Sequence, residues 1–156
     1  MVNDRLIAQL KAARDYFIKT QSNLDESESA HTPADGMMTA AQQVAHTAHT
    51  VDWFVDGAFH RADGLDMDFA SQAALFMKVT SLKEARAWLD KAFARAIEEI
   101  GNKTAAQLAE PIGGQIMANA PKEAIVGGII DHTAHHRGAL SVYTRTCGKV
   151  PPMPYM

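Results

Sequence analysis

The sequence is poor in several features that mark other classes of protein. It has a single cysteine, Cys147, so no internal disulfide is available to it. It contains no uncharged apolar run of about 18 residues, the length that a transmembrane helix needs. Lys and Arg never stand side by side and the formal net charge is −3, so the basic stripe typical of nucleic-acid-binding proteins is missing. These absences predict a protein that binds neither nucleic acid nor a membrane.

What the sequence does contain fits one ordinary domain. Its 156 residues are 47% apolar and 21% charged, close to the average for globular proteins. A chain of this length can bury enough surface to fold without disulfides, and we expect a single domain over residues 1–156. The first ten residues include Asp4 and Arg5 and have no apolar signal core. Together with the lone cysteine, this predicts a cytoplasmic protein.

Apolar residues recur at three- and four-residue steps, the period of an amphipathic helix, in four segments of the chain. These segments span about residues 3–24, 39–60, 81–100 and 121–147. Thr39-x-x-Gln42 and Ser81-x-x-Glu84 resemble capping boxes at the start of the second and third. Four such helices and no convincing strand predict an all-α fold, an antiparallel four-helix bundle. The long connection 102–120, with a short helix at 104–109, is a candidate lid.

The chemistry is expected to lie with the seven histidines. His132 and His136 stand one turn apart in the middle of the apolar stripe of the last helix, whereas His135 points away from it. A buried polar group without a partner costs about 1–3 kcal/mol, so inward imidazoles need partners. An i, i+4 pair places its Cβ atoms about 5–6 Å apart, a spacing that suits joint binding of one metal ion.

A third ligand would have to come from another helix. The second predicted helix offers His46 and His49, which flank its apolar stripe on different sides, and periodicity does not choose between them. Three imidazoles and an open fourth position are typical of a catalytic metal site. Imidazole ligands suit zinc, nickel, iron and copper alike.

Two segments carry a resemblance to a known family. Residues 132–145, which read HTAHHRGALSVYTR, resemble the C-terminal signature of the DinB-like (DinB/YfiT) metalloenzymes, and residues 41–54, AQQVAHTAHTVDWF, resemble that family's second-helix motif. The resemblance covers essentially the whole chain. It departs from the family at Ala139, where a Gln is usual. The metal ligands that it implies are His46, His132 and His136.

The resemblance also implies a function. Members of that family are four-helix bundles, often homodimers, that bind nickel, zinc or a similar divalent ion. They include thiol-dependent S-transferases and a thiol-dependent maleylpyruvate isomerase, which would make the partners a small-molecule substrate and a low-molecular-weight thiol. Two alternatives stay open from the sequence. One is a non-catalytic stress-response module that binds a metal or a small molecule, and the other is a scaffolding bundle whose histidines only pack.

Overall fold

The computed structural model describes residues 2–156, and over that range it is helical. Two short 3-10 turns, Glu26–Glu28 and Lys122–Ala124, accompany six α-helices. The helices are α1 (Val2–Thr20), α2 (Ala40–Phe59), α3 (Phe69–Met77), α4 (Leu82–Asn102), α5 (Ala105–Ala109) and α6 (Ile125–Thr146). Residues 2–156 contain no β-strand, only an isolated bridge between Pro111 and Pro121. The predicted all-α class is therefore confirmed.

The helix ends follow local chemistry that is visible in the sequence. At the start of α2 the Thr39 hydroxyl accepts from the Gln42 backbone N–H at 3.2 Å, and the Gln42 side chain accepts from the Thr39 N–H at 2.9 Å. This is the predicted capping box, and it satisfies two otherwise unpaired donors. At the start of α4 the predicted capping box is half present: the Ser81 hydroxyl accepts from the Glu84 N–H at 3.1 Å, and the described residues show no bond from the Glu84 side chain back to the Ser81 N–H. Gly148 follows α6 with φ +77°, a left-handed conformation that favours glycine.

Three predicted helix boundaries are wrong. The last helix, predicted to start at Pro121, begins as α6 at Ile125, because residues Lys122–Ala124 form a 3-10 turn. Helix α4 continues through Gly101 to Asn102, because Gly101 keeps helical geometry and the chain leaves the helix only at Lys103. Helix α1 ends at Thr20, four residues before the predicted Leu24. Leu24 is nevertheless buried, so its apolar side chain serves the core from the following turn.

The four long helices α1, α2, α4 and α6 form a bundle in which α1 and α2 each pack against α4 and α6. Cross-helix contacts give the chain directions. Asn3 donates to the carbonyl of Ile100, so α1 and α4 are antiparallel. His46 faces His132, whereas Gln43 faces Tyr143, so α2 and α6 are antiparallel as well.

The other two pairs of neighbouring helices run in parallel. Along α2 and α4, Asp52 meets Trp88 and Asp56 meets Arg95. The ends of α1 and α6 meet where Lys149 donates to the carbonyl of Asn23. The four-helix bundle is thus confirmed, and its helices run up, down, down and up in chain order.

Small side chains form the buried face of α2. Ala41, Ala45 and Ala48 are fully buried there, and α4 buries alanines of its own, Ala85, Ala92 and Ala96. A helix with alanines on its inner face can approach its neighbours closely, because interiors pack without voids. The polar side chains of α2 also lie within reach of α6, as the hydrogen bond from Gln43 to Tyr143 shows.

The segment between α2 and α4 contains α3, a helix that the sequence did not predict. Asp68 caps it by accepting from the Ser71 N–H at 3.1 Å. Its only buried residue is Phe76, which packs toward α2. Among the described residues, no helix combines the length and apolar character needed to cross a membrane.

The connections that follow α2 and α5 touch backbone to backbone. A Cβ at Gly64 would overlap the carbonyl oxygen of Gly113, and a Cβ at Gly114 would overlap that of Asp63. Gly64 and Gly114 also have φ near +77°. Only glycine satisfies both conditions at once, so this contact, which we call the glycine contact (Gly64, Gly113 and Gly114), ties the two connections together.

Candidate metal centre

Three imidazoles meet between α2 and α6. Nε2 of His132 lies 3.2 Å from Nε2 of His46 and 3.2 Å from Nε2 of His136. One ring nitrogen from each of the three residues lies within 4.8 Å of the others. The structure therefore brings together the three histidines that the family resemblance implies.

The spacing of these nitrogens fits a single ion. Zinc binds imidazole nitrogen at about 2.0–2.1 Å in tetrahedral geometry, so two ligating nitrogens stand about 3.3 Å apart. The observed 3.2 Å between neighbouring Nε2 atoms matches that edge. The three ring nitrogens cannot all form hydrogen bonds with one another, since each hydrogen bond needs one proton and one lone pair. A divalent cation among them would accept all three lone pairs.

Burial keeps these imidazoles neutral. It lowers the pKa of His46 and of His132 from 6.5 to about 4, and that of His136 to about 3, with smaller contributions from the neighbouring imidazoles. His136 is only 5% exposed. A neutral imidazole has a free lone pair, which is the form that binds metals.

A chain of hydrogen bonds fixes the orientation of His136. The Met38 carbonyl can only accept, so the Tyr143 hydroxyl donates to it at 2.6 Å. The Tyr143 oxygen then accepts from Nε2 of Gln43 at 3.2 Å, which leaves the Gln43 oxygen to accept from Nδ1 of His136 at 2.6 Å. Because Nδ1 of His136 carries the proton, its Nε2 presents a lone pair to the other imidazoles.

His49, the alternative ligand on α2, is engaged elsewhere. Its Nε2 lies 2.7 Å from the side-chain oxygen of Gln72 on α3. The Gln72 amide nitrogen donates to Asp66 at 3.1 Å, so its oxygen must be the acceptor and His49 the donor. A ring nitrogen that carries a proton cannot bind a metal. The geometry thus separates His49 from the three converging imidazoles.

Other residues singled out in the sequence lie outside this centre. His135 is exposed on α6, as expected from its position on the helix, and Cys147 is half-buried beyond the end of α6. His46 contrasts with His136, because its Nδ1 is buried and has no hydrogen-bond partner among residues 2–156.

The candidate lid lies elsewhere. Segment 102–120 packs against the connection after α2 through the glycine contact, and it contributes no described residue to the lining beside the histidines. Helix α3 occupies that place, with the Phe76 ring 4.4 Å from the ring of His46. The short helix predicted at 104–109 is present as α5.

Sequence reasoning missed Gln43, Gln72 and Phe76. A signal for Gln43 exists, because it precedes His46 by three residues and therefore shares its face of α2. Gln72 and Phe76 lie on α3, and no pattern in the sequence indicates which way that helix folds back.

Comparisons with known proteins agree with this fold. A model of the DinB superfamily matches residues 9–140. Among solved structures, YfiT from Bacillus subtilis, described as a probable metal-dependent hydrolase with an unusual four-helix bundle topology, superposes with a TM-score of 0.71. The two sequences are 18% identical, and the match covers 94% of this chain and 88% of that one. A comparison with curated protein sequences gives no significant match.

Proposed function

This chain belongs to the DinB superfamily, and on that premise we propose that His46, His132 and His136 bind one divalent metal ion at the centre of an enzyme site. The observation that carries the proposal is the convergence of three neutral imidazoles, with neighbouring Nε2 atoms 3.2 Å apart. Zinc or nickel is the first choice, and iron or copper also suits an all-imidazole set.

Three histidine ligands would leave one coordination position of the ion open for a reactant. Such an ion supplies Lewis-acid chemistry, lowering the pKa of a water or thiol so that a nucleophile exists near neutral pH. Gln43 holds the ring of His136 with Nε2 inward, and support of this kind sets the affinity of a metal site. Phe76 covers His46 and limits the access of water to the ring.

The reaction that we propose is a transfer or isomerisation of a small organic substrate that uses a low-molecular-weight thiol, with hydrolysis as the corresponding reaction of water. Support for a thiol comes from the family resemblance of residues 41–54 and 132–145. Support for hydrolysis is the description of YfiT as a probable metal-dependent hydrolase. Both reactions need the same three ligands and the same open position.

Metal content tests the centre directly. Protein made without a histidine tag, stripped and then loaded with zinc or nickel, should hold about one ion per chain by elemental analysis. His132→Ala should lose it. Two matched controls, His135→Ala on the exposed side of α6 and His49→Ala on α2, should keep it. Failure to load any metal, or equal loss in His135→Ala, would refute the proposal.

Activity separates an enzyme from a binding module. Thiol transfer to a small electrophile should require zinc or nickel and should disappear in His132→Ala. Thiol transfer that survives this substitution unchanged would exclude a metal mechanism. One ion per chain without thiol transfer or hydrolysis would instead support the non-catalytic metal-binding module.

A further inference from the structure

A cleft adjoins the histidines on the side covered by α3. Its volume is about 380 Å³, within the range of small-molecule sites. His46 and His132 form one end of it. Its walls are four aromatic side chains, two from α2 and two from α3: Trp53, Phe54, Phe69 and Phe76.

Away from the histidines, the cleft offers no charge to a ligand. Among the described residues that line it, none is Lys, Arg, Asp or Glu. Apart from His46 and His132, its polar groups are already paired with one another or with the backbone: His49 bonds to Gln72, and the Thr50 hydroxyl donates to the carbonyl of His46. A charged or strongly hydrogen-bonding ligand would lose its hydration here without recovering the lost interactions.

Charged side chains lie instead in a neighbouring cleft of about 270 Å³, which shares His49, Trp53 and Gln72 with the first. Its arginines are already paired, Arg95 with Asp52 at 3.1 Å and Arg61 with Asp66 at 3.2 Å. Trp53, His49 and Gln72 thus separate the two clefts. The charged side chains lie in the neighbouring cleft, and the cleft next to the histidines is apolar.

Helix α3 leaves part of the aromatic wall uncovered. Phe69 is 56% exposed, an unusual state for a large aromatic side chain. A flat apolar molecule in the cleft would cover this ring and pack against it, and aromatic groups gain much from such ring contacts.

We propose that this cleft is the substrate subsite of the centre, and that its substrate is an uncharged organic molecule with a flat apolar body, such as an aromatic ring system. One part of this inference rests on the proposed metal site: the end of the molecule that reacts is the end next to His46 and His132. The chemistry of the walls alone selects the body of the molecule.

The test uses two fluorescent probes that share one ring skeleton: phenylnaphthylamine, which is uncharged, and anilinonaphthalene sulfonate, which carries an added anionic group. Metal-free, full-length protein should bind the uncharged probe with a stoichiometry of one per chain. It should bind it at least about tenfold more tightly than the sulfonate. Equal or tighter binding of the sulfonate would overturn the proposal.

Two pairs of variants locate the bound probe. Ala73→Trp fills the cleft from α3 and should weaken binding of the uncharged probe at least about tenfold, whereas Ala74→Trp, at the next and exposed position, should not. Phe69→Ala removes one wall at an exposed position and should weaken binding, while Met77→Ala, also exposed on α3, should leave it unchanged. Equal effects within both pairs would overturn the assignment.

A zinc titration of the same proteins separates the two proposals. Zinc bound normally by Ala73→Trp, together with loss of the probe, supports both. Zinc binding by the wild type without probe binding overturns the cleft and leaves the metal centre standing. Probe binding by the wild type without zinc binding overturns the metal centre and leaves the cleft standing.

Discussion

At the scale of single residues, Gln43 determines which nitrogen of His136 faces the other imidazoles. The bonds that run from Met38 through Tyr143 leave the Gln43 oxygen as the acceptor for Nδ1 of His136. A flipped amide would set its oxygen against the Tyr143 oxygen with no proton between them. The bond pattern therefore admits one orientation only.

Replacing Gln43 should weaken metal binding without removing a ligand. We expect Gln43→Leu to lower zinc affinity by about 10–100-fold, the usual effect of losing a partner that supports a metal ligand. The matched control is Gln42→Leu, which breaks the cap of α2 and should lower stability, yet leave zinc affinity unchanged. Nitrogen chemical shifts of the metal-free protein should show His136 protonated at Nδ1. Unaltered affinity in Gln43→Leu would contradict this role.

At the scale of the element, two neighbouring glycines in α6 have opposite surroundings. A Cβ at Gly127 would meet nothing within 4 Å, whereas a Cβ at Gly128 would lie 2.7 Å and 2.9 Å from ring atoms of Phe54. Gly128 thus admits the Phe54 ring, which lines the cleft beside the histidines. Gly127 has no such neighbour.

Alanine at these two positions should therefore change stability in opposite directions. Gly127→Ala should raise the free energy of unfolding by about 0.5–1 kcal/mol through helix propensity. Gly128→Ala gains the same propensity, but it must displace the Phe54 ring and should lower stability by about 1–3 kcal/mol. Denaturant unfolding of the metal-free variants measures both. Equal changes would mean that the Phe54 ring does not pack against Gly128.

The long helices could be predicted from the sequence, and α3 could not. The stripes of α2, α4 and α6 repeat over five or more turns, and capping residues mark Thr39 and Ser81 as starts. Helix α3 has nine residues and one buried side chain, so it has no stripe to detect. Its Asp68 cap is visible only in hindsight, because three aspartates lie in the same stretch.

The pair His132 and His136 could be predicted for the same reason, since both lie on one stripe of one helix. The choice of His46 over His49 depends on how α2 is rotated against α6, which is a property of the packed molecule. The periodicity of apolar residues within one helix does not determine this rotation. The family resemblance implied His46, and the structure places that residue with the other two.

At the scale of the whole molecule, the pairing of helices follows from the connections. The 22-residue link between α2 and α4, positions 60–81, contains α3 and carries the chain back along the bundle, so that α2 and α4 run in parallel. Short loops would have forced antiparallel neighbours. The single domain over residues 1–156, the homodimer and the cytoplasmic location stay predictions.

The whole molecule should also respond to pH through its buried histidines. The unfolded chain takes up protons near pH 6.5, while the folded chain keeps His46 and His132 neutral down to a pKa of about 4. Between these values the unfolded state binds more protons, so stability falls as pH falls. Above pH 6.5 both states are neutral and the histidine effect vanishes.

Denaturant unfolding of metal-free protein between about pH 7 and about pH 5 tests this, because most carboxylates titrate lower. We expect the free energy of unfolding to fall over this window, and to fall less in His132→Asn. His135→Asn, at an exposed position on the same helix, is the control and should follow the wild type. A wild-type stability that does not change with pH would show that the imidazoles are not held neutral.

The glycine contact has a consequence for how this chain can change over generations. Positions 62–64 and 113–114 lie about fifty residues apart in the sequence, yet each backbone occupies the space that a methyl group on the other would need. A larger residue or an insertion in one loop therefore requires the backbone of the other loop to move away. Substitutions in the two loops are therefore expected to covary among homologues that retain α3 beside the histidines.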